Sequence, residues 1–272
     1  MRASNNVILI IPSLKPYYII ASNKMMRLFK MMPLKLVLLP LPREAESSLL
    51  KYIAYKITYE ELINAIISLH QSYSVLFKSF INMRPLLEAL RRISHKVELR
   101  IACYSNLSFA HTELMSLVDL ISLIAKTRIS GRLRFDELLR TLSNYVDTYR
   151  KMVRVFVEKL SKELSVSESP WLMVSDFKGR HLSLELKKYG IRKIKLIYVT
   201  PYVFTPLERL VREYLYGLLS KKLAKELIQA HINFLWNYVL VSDDVNEAYL
   251  AWLKENFYEK YLELMCKLHM QK

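Results

Sequence analysis

The stretch WLMVSDFKGRHLSLELKKYGIRKIKLIYV, residues 171–199, decides the fold class. Its opening, Trp171–Ser175, is an apolar run of the length of a buried strand. Leu182–Lys188 then repeats at helical spacing. Gly190 stands where a helix end calls for a left-handed residue. Ile194–Val199 is a second apolar run. Strand, helix and strand in that order make a crossover, and a crossover joins parallel strands.

Toward the N-terminus, Val7–Ile11, Tyr17–Ala21 and Leu34–Leu39 are short β-branched or aromatic runs bounded by Pro and Ser, and each reads as a buried strand. Val97–Tyr104 alternates and adds another. Glu44–Lys56 is helical. Thr58-Tyr59-Glu60-Glu61 is a capping box opening a long helix on which Leu62, Ile66, Leu69, Tyr73, Leu76 and Phe77 share a face. Pro85 begins a shorter helix to Ile93. Residues 108–127 and Phe135 to about Leu164 are helical, the latter as one helix or a pair, around a basic connector Arg128–Arg134. Ser165–Pro170 is a linker.

Thr205-Pro206-Leu207-Glu208 is a helix start, followed by apolar spacing through Leu210, Val211, Leu215 and Leu218. Asp243 and Asp244 restart the last helix. The sum is a helix-dominated α/β protein with a small mixed sheet, at about 60% helix and 15% strand, above the soluble average for helix. An α/β core over 1–204 contains a large helical insertion at about 58–164, and 205–272 is a helical C-terminal appendage.

Composition narrows the function classes. The chain has 272 residues, 52% of them hydrophobic, and a formal net charge of +16. That is too apolar for a disordered chain and long enough for one or two domains. Glycine occurs only at Gly131, Gly179, Gly190 and Gly217. A Walker A loop and a GxGxxG turn are both absent. Apolar runs are broken at Pro12, Pro40 and Pro42, so no transmembrane segment of about 20 residues is expected. Residues 1–43 carry seven Lys/Arg and no acid, but they read as strands rather than a transit peptide. Cys103 and Cys266 cannot make a disulfide framework, which suits a reducing, cytoplasmic interior. Only three glutamines are present, as in proteins from hot environments.

The histidines His70, His95, His111, His181, His231 and His269 include no HxxxH or HExxH pair. His111 and Glu113 point apart on a helix. Cys103 has no neighbour that would lower its pKa. Asp243-Asp244 sits at a helix start, where capping explains it. No catalytic residue, metal site or cofactor is expected.

Charge is the one global signal. Residues 151–200 carry +6 and residues 201–250 carry −1. Lys178, Arg180, Lys187, Lys188, Arg192, Lys193 and Lys195 form the densest run, interleaved with Phe177, Tyr189 and Tyr198. Lys and Arg release counterions from phosphates, and aromatic rings stack bases. These seven residues are the candidate phosphate contacts for DNA or RNA. A solvated lysine-rich face, or an acidic protein or membrane surface as partner, are the competing readings.

Four segments resemble motifs of the TraB/PrgY and EreA/ChaN-like group. Tyr18–Lys24 is similar to its first GTxH-like motif, and Lys35–Glu44 to its acidic second motif. Arg150-Lys151-Met152 is similar to its Arg-x-x-Met region. Trp171–Lys178 followed by Leu182–Gly190 is similar to its final strand–GxxH–helix unit. The resemblance covers residues 7–200 and implies that group's α/β scaffold. Lys24, Pro40 and Lys178 stand in the slots for the two histidines and the acid. Ammonium groups neither bind metal nor shuttle protons as imidazole does. The resemblance therefore implies a scaffold without the group's hydrolytic chemistry.

Three functions compete. The first is a non-enzymatic nucleic-acid-associated protein, a subunit of a larger archaeal-type assembly in defence or replication. The second is a hydrolase of the resembled group or its inactive descendant. The third is an interaction scaffold, with Trp236, Tyr238, Tyr249, Trp252 and Tyr258 presented to protein subunits or to a second copy through residues 205–268.

Overall fold

The structure, a computed structural model, describes residues 6–69, 77–132, 134–165 and 169–270. Five strands form one sheet: β1 (Asn6–Ile10), β2 (Leu36–Pro42), β3 (Arg100–Ser105), β4 (Trp171–Ser175) and β5 (Ile194–Tyr198). Their order is β3-β2-β4-β1-β5, and every pairing is parallel. The expected mixed sheet is thus corrected. Each link between consecutive strands contains at least one helix, and such a crossover returns the chain in the same direction.

The second correction is Tyr17–Ala21, which is helix rather than strand. It lies in α1 (Lys15–Met31), with Pro16 in the first turn. Tyr17, Ala21, Met25 and Leu28 are buried at i, i+4, i+8 and i+11, the helical period. A five-residue window sees only the aromatic and β-branched beginning of that stripe.

α2 (Glu46–Ile53), α3 (Tyr59–Ser68), α4 (Phe77–Asn82) and α5 (Arg84–Ser94) lie between β2 and β3. The Thr58 capping box is formed, with Thr58 and Glu61 bonded reciprocally. Tyr73 and Leu76 of the expected helix face, and His70, lie outside the described residues. α6 (Leu107–Ser130) and α7 (Phe135–Ser165) precede β4, and α7 is a single helix. α8 (Gly179–Lys188) joins β4 to β5. It ends in a Schellman motif: Gly190 N–H donates to the Lys187 carbonyl at 3.1 Å and Ile191 N–H to the Leu186 carbonyl at 3.2 Å. Gly190 has φ +90° there.

The links β1–β2 and β2–β3 step toward β3, and the later links step toward β5. Right-handed crossovers therefore place α1 and α2–α5 on one face and α8 on the other. α1 packs on α5, and α8 on β1 and β5. Val7, Ile8, Leu9 and Leu172 are fully buried between the two layers, which is why these strands read as continuous apolar runs. Helix makes up 67% of the described residues.

The C-terminal region holds α9 (Pro206–Leu215), α10 (Lys221–Phe234), α11 (Val245–Asn256) and α12 (Tyr258–His269). A π-turn, Leu235–Val239, extends α10. The Thr205–Glu208 capping box is formed.

The chain forms two compact units. One comprises residues 1–107, 153–200 and 266–272, and the other 108–152 and 201–265. Residues 108–130 of α6 and 135–152 of α7 fall in the second unit, and residues 153–165 of α7 in the first. In that second unit Arg150 donates to the Leu215 carbonyl at 3.4 Å, and Lys221 lies 5.3 Å from the Phe135 ring centre. No helix among the described residues is long and apolar enough to cross a membrane.

Candidate functional site

The sheet divides the expected basic run between its two ends. α8 runs back against the strands, so its first residues lie at the carboxyl ends of the strands and its last at their amino ends. Ten residues of helix separate the two by about 15 Å. Lys178 and Arg180 stand at the carboxyl end, and Lys187, Lys188, Arg192 and Lys193 at the amino end.

At the amino edge, residues distant in sequence converge. Arg100 N–H donates to the Lys35 carbonyl at 2.9 Å, and Lys35 N–H to the Pro170 carbonyl at 3.1 Å. Asn6 N–H donates to the Lys193 carbonyl at 3.1 Å. These bonds tie the beginnings of the strands into one line, with Arg100 and Lys35 toward one end and Arg192 and Lys193 at the other. Lys35, Lys96, Arg100, Lys187, Lys188, Arg192 and Lys193 are all exposed. Lys188 is spent on Glu185, at 2.6 Å. Lys195 is one residue inside the edge, beside Val7 of β1.

At the carboxyl ends, β4 and β1 are neighbours whose following helices leave to opposite faces, a topological switch point. Lys178 is only 9% exposed and its Nζ lies 3.2 Å from Asp176. It belongs to this buried polar cluster rather than to an exposed patch. Tyr104 Oη donates to the Val174 carbonyl at 2.8 Å. Burial first, and then the Asp176 charge, push the Tyr104 phenol above its usual range. Burial does the same to Tyr18, which is bonded to Ser13. Gly179 is required here, since a Cβ would sit 2.9 Å from Ile10 Cγ1.

A third feature was invisible in the sequence. Tyr55 has φ +58° and caps α2 in a Schellman turn, its N–H bonding the Tyr52 carbonyl and Lys56 N–H the Lys51 carbonyl. Arg91 of α5 stacks on Tyr55, 3.4 Å from the ring centre, and on Tyr52 at 4.7 Å. A cleft of about 350 Å³ opens beside them, its lining balanced between the cations Lys56, Arg84 and Arg91 and the acids Glu60, Glu61 and Glu88. No composition or spacing signal marks it, because a tyrosine at this turn position runs against preference.

The aromatic residues assigned to a partner are placed unequally. Tyr238, Tyr249 and Trp252 are buried within the second unit, so they form its core and do not present a face. Phe234 meets Trp252 edge-on at 5.5 Å, and Tyr249 lies 5.6 Å from Trp252. Trp236 is half-buried, and Tyr258 is 57% exposed.

Of the remaining polar residues, Asp244 caps α11, accepting from Asn246 N–H at 2.6 Å and Glu247 N–H at 3.0 Å. Burial pushes the Cys103 thiol up to about 12, away from thiolate chemistry. No group of three or more His, Cys, Asp or Glu among the described residues stands together. Lys24 lies in α1, Pro40 in β2 and Lys178 just before α8. No family model, curated protein or solved structure matches this chain.

Proposed function

We propose that the chain is a nucleic-acid-associated protein, working within a larger assembly and without chemistry of its own, that holds phosphates along the amino edge of its sheet. The observation that supports this reading is the convergence of Lys35, Arg100, Lys187, Arg192 and Lys193, all exposed, on one edge. Neighbouring strands lie about 4.8 Å apart, so the five-stranded edge spreads this charge over about 19 Å. A row of that length follows several successive phosphates of a backbone. The composition alone offers a net +16 with no direction, whereas the parallel topology gives the charge an edge.

The test is the variant Lys35→Glu/Arg100→Glu/Arg192→Glu/Lys193→Glu, titrated with labelled oligonucleotides at several salt concentrations. Each lost phosphate contact flattens the log–log slope by about 0.9 on duplex DNA or 0.7 on a single strand. The expected result is a folded variant with much weaker binding and a flatter slope. An unchanged slope, or a wild type that binds no nucleic acid even at low salt, overturns the reading.

A further inference from the structure

Tyr55 occupies a position that glycine normally fills. The residue after a helix C-cap in a Schellman turn is left-handed, and a bulky side chain there costs about 1–2 kcal/mol. Among the described non-glycine residues only Tyr55 has a positive φ. Tyr55 is nevertheless 50% exposed, so burial offsets little of that strain. What the ring does have is a stacked guanidinium, Arg91 at 3.4 Å, and His95 edge-on at 4.7 Å. Strained residues held by their surroundings concentrate at binding sites.

The charges around the ring are unequally paired. Arg84 takes Glu88 at 2.8 Å and Glu60 at 3.2 Å. Glu61 is bound to Thr58 in the capping box. Neither Arg91 nor Lys56 has a carboxylate partner among the described residues. The cleft, of about 350 Å³, thus offers a half-exposed tyrosine ring and, among the described residues, two cations without a carboxylate partner, with the exposed Glu61 carboxylate as the one acid in its lining not held by a cation. Small-ligand pockets run from about 300 to 1,000 Å³.

Its place in the fold gives the ligand a direction. α5 ends at Ser94 and the chain enters β3 at Arg100, so Arg91 and His95 lie toward the amino edge, on the β3 flank. Lys96 and Arg100 continue from them, both exposed.

We infer that this cleft seats an unstacked base of a single strand, with Tyr55 as the platform and Arg91 and Lys56 facing its phosphate. The inference rests on the amino-edge reading and adds to it a preference for single strands. An aromatic platform is used with any base, because every base has a π-face. A paired duplex keeps its bases stacked and gains nothing from the ring.

The experiment compares full-length wild type with Tyr55→Gly, Tyr55→Phe and Lys56→Glu. Labelled oligo(dT), oligo(rU) and a duplex are titrated by fluorescence anisotropy across salt. Glycine suits the left-handed turn, so Tyr55→Gly keeps its circular dichroism and its melting transition. It is expected to weaken both single strands about tenfold with the salt slope unchanged, and to leave the duplex as it was. Tyr55→Phe keeps the ring and binds like wild type. Lys56→Glu flattens the single-strand slope by about 0.7. Unaltered single-strand binding by Tyr55→Gly, an equal loss on duplex, or a Phe variant as weak as Gly overturns the inference. In those cases a flatter slope in the amino-edge variant leaves the phosphate row standing, whereas a wild type that binds no single strand at low salt ends both.

Discussion

Lys24 of α1 donates its ammonium to the backbone carbonyl of Tyr198 at 2.8 Å, capping the outer edge of the last strand. Val199 N–H bonds inward to the Ile10 carbonyl, so the carbonyls of Tyr198 and Thr200 face away from the sheet. Lys267 takes the second of these, at 2.9 Å. Charged side chains that occupy the free carbonyls of an edge strand block its pairing with another chain. Burial, followed by the charges of Lys267 and Lys195, lowers the Lys24 pKa, the cost of gathering three ammonium groups at one edge.

Removing both caps therefore exposes a pairing edge. The variant Lys24→Ala/Lys267→Ala is expected to stay folded and to form dimers or larger species where wild type does not. Light scattering at matched concentrations measures this. A double variant with the wild-type mass shows that the lysines serve some other purpose.

Gly179 begins α8 hard against the sheet. An added Cβ would meet Ile10 Cγ1 at 2.9 Å and Ser175 Cβ at 3.1 Å, and Ile10 is fully buried. Helix propensity favours Ala over Gly by about 1 kcal/mol, whereas overpacking a buried contact costs about 1–3 kcal/mol. Overpacking wins, and Gly179→Ala is expected to lower the melting temperature. Gly190→Ala is the useful contrast, since nothing lies within 4 Å of its Cβ position and only its φ of +90° resists substitution. If Gly179→Ala melts at or above wild type, helix α8 has room to shift.

The sequence carries these features unevenly. Thr58–Glu61 and Thr205–Glu208 were legible because a capping box is a local exchange between side chain and backbone, complete within four residues. Gly190 was legible for the same reason. Tyr17–Ala21 taken alone reads as strand because strand and helix share its five residues, and only Met25 and Leu28 reveal the longer period. The amino edge was half legible. Lys187 to Lys193 are contiguous, but Lys35 and Arg100 join them only through strand order, which no local pattern states. Tyr55 carried no signal, because its φ is imposed by the helix end against its residue type.

His231 gives the sharpest pH test. It is 4% exposed in the second unit, and both ring nitrogens lack a hydrogen-bond partner among the described residues. Its ring stacks on Phe234 with centroids 6.1 Å apart. Burial alone lowers its pKa from 6.5 to about 4. Between those values the unfolded chain binds a proton that the folded chain refuses. Stability therefore falls as pH drops from 6.5 toward 4, and this contribution is flat above and below that window. The full swing is about 3 kcal/mol, at 1.36 kcal/mol per pKa unit. His231→Leu keeps a similar apolar volume and removes the titration along with the two unpaired nitrogens. The variant is expected to match or exceed wild-type stability at pH 7, and the gap should widen by about 2–3 kcal/mol at pH 4.5. Denaturant midpoints followed by tryptophan fluorescence report it, because Trp252 shares the Phe234 cluster. A gap that stays the same at both pH values means that His231 accepts its proton inside the fold.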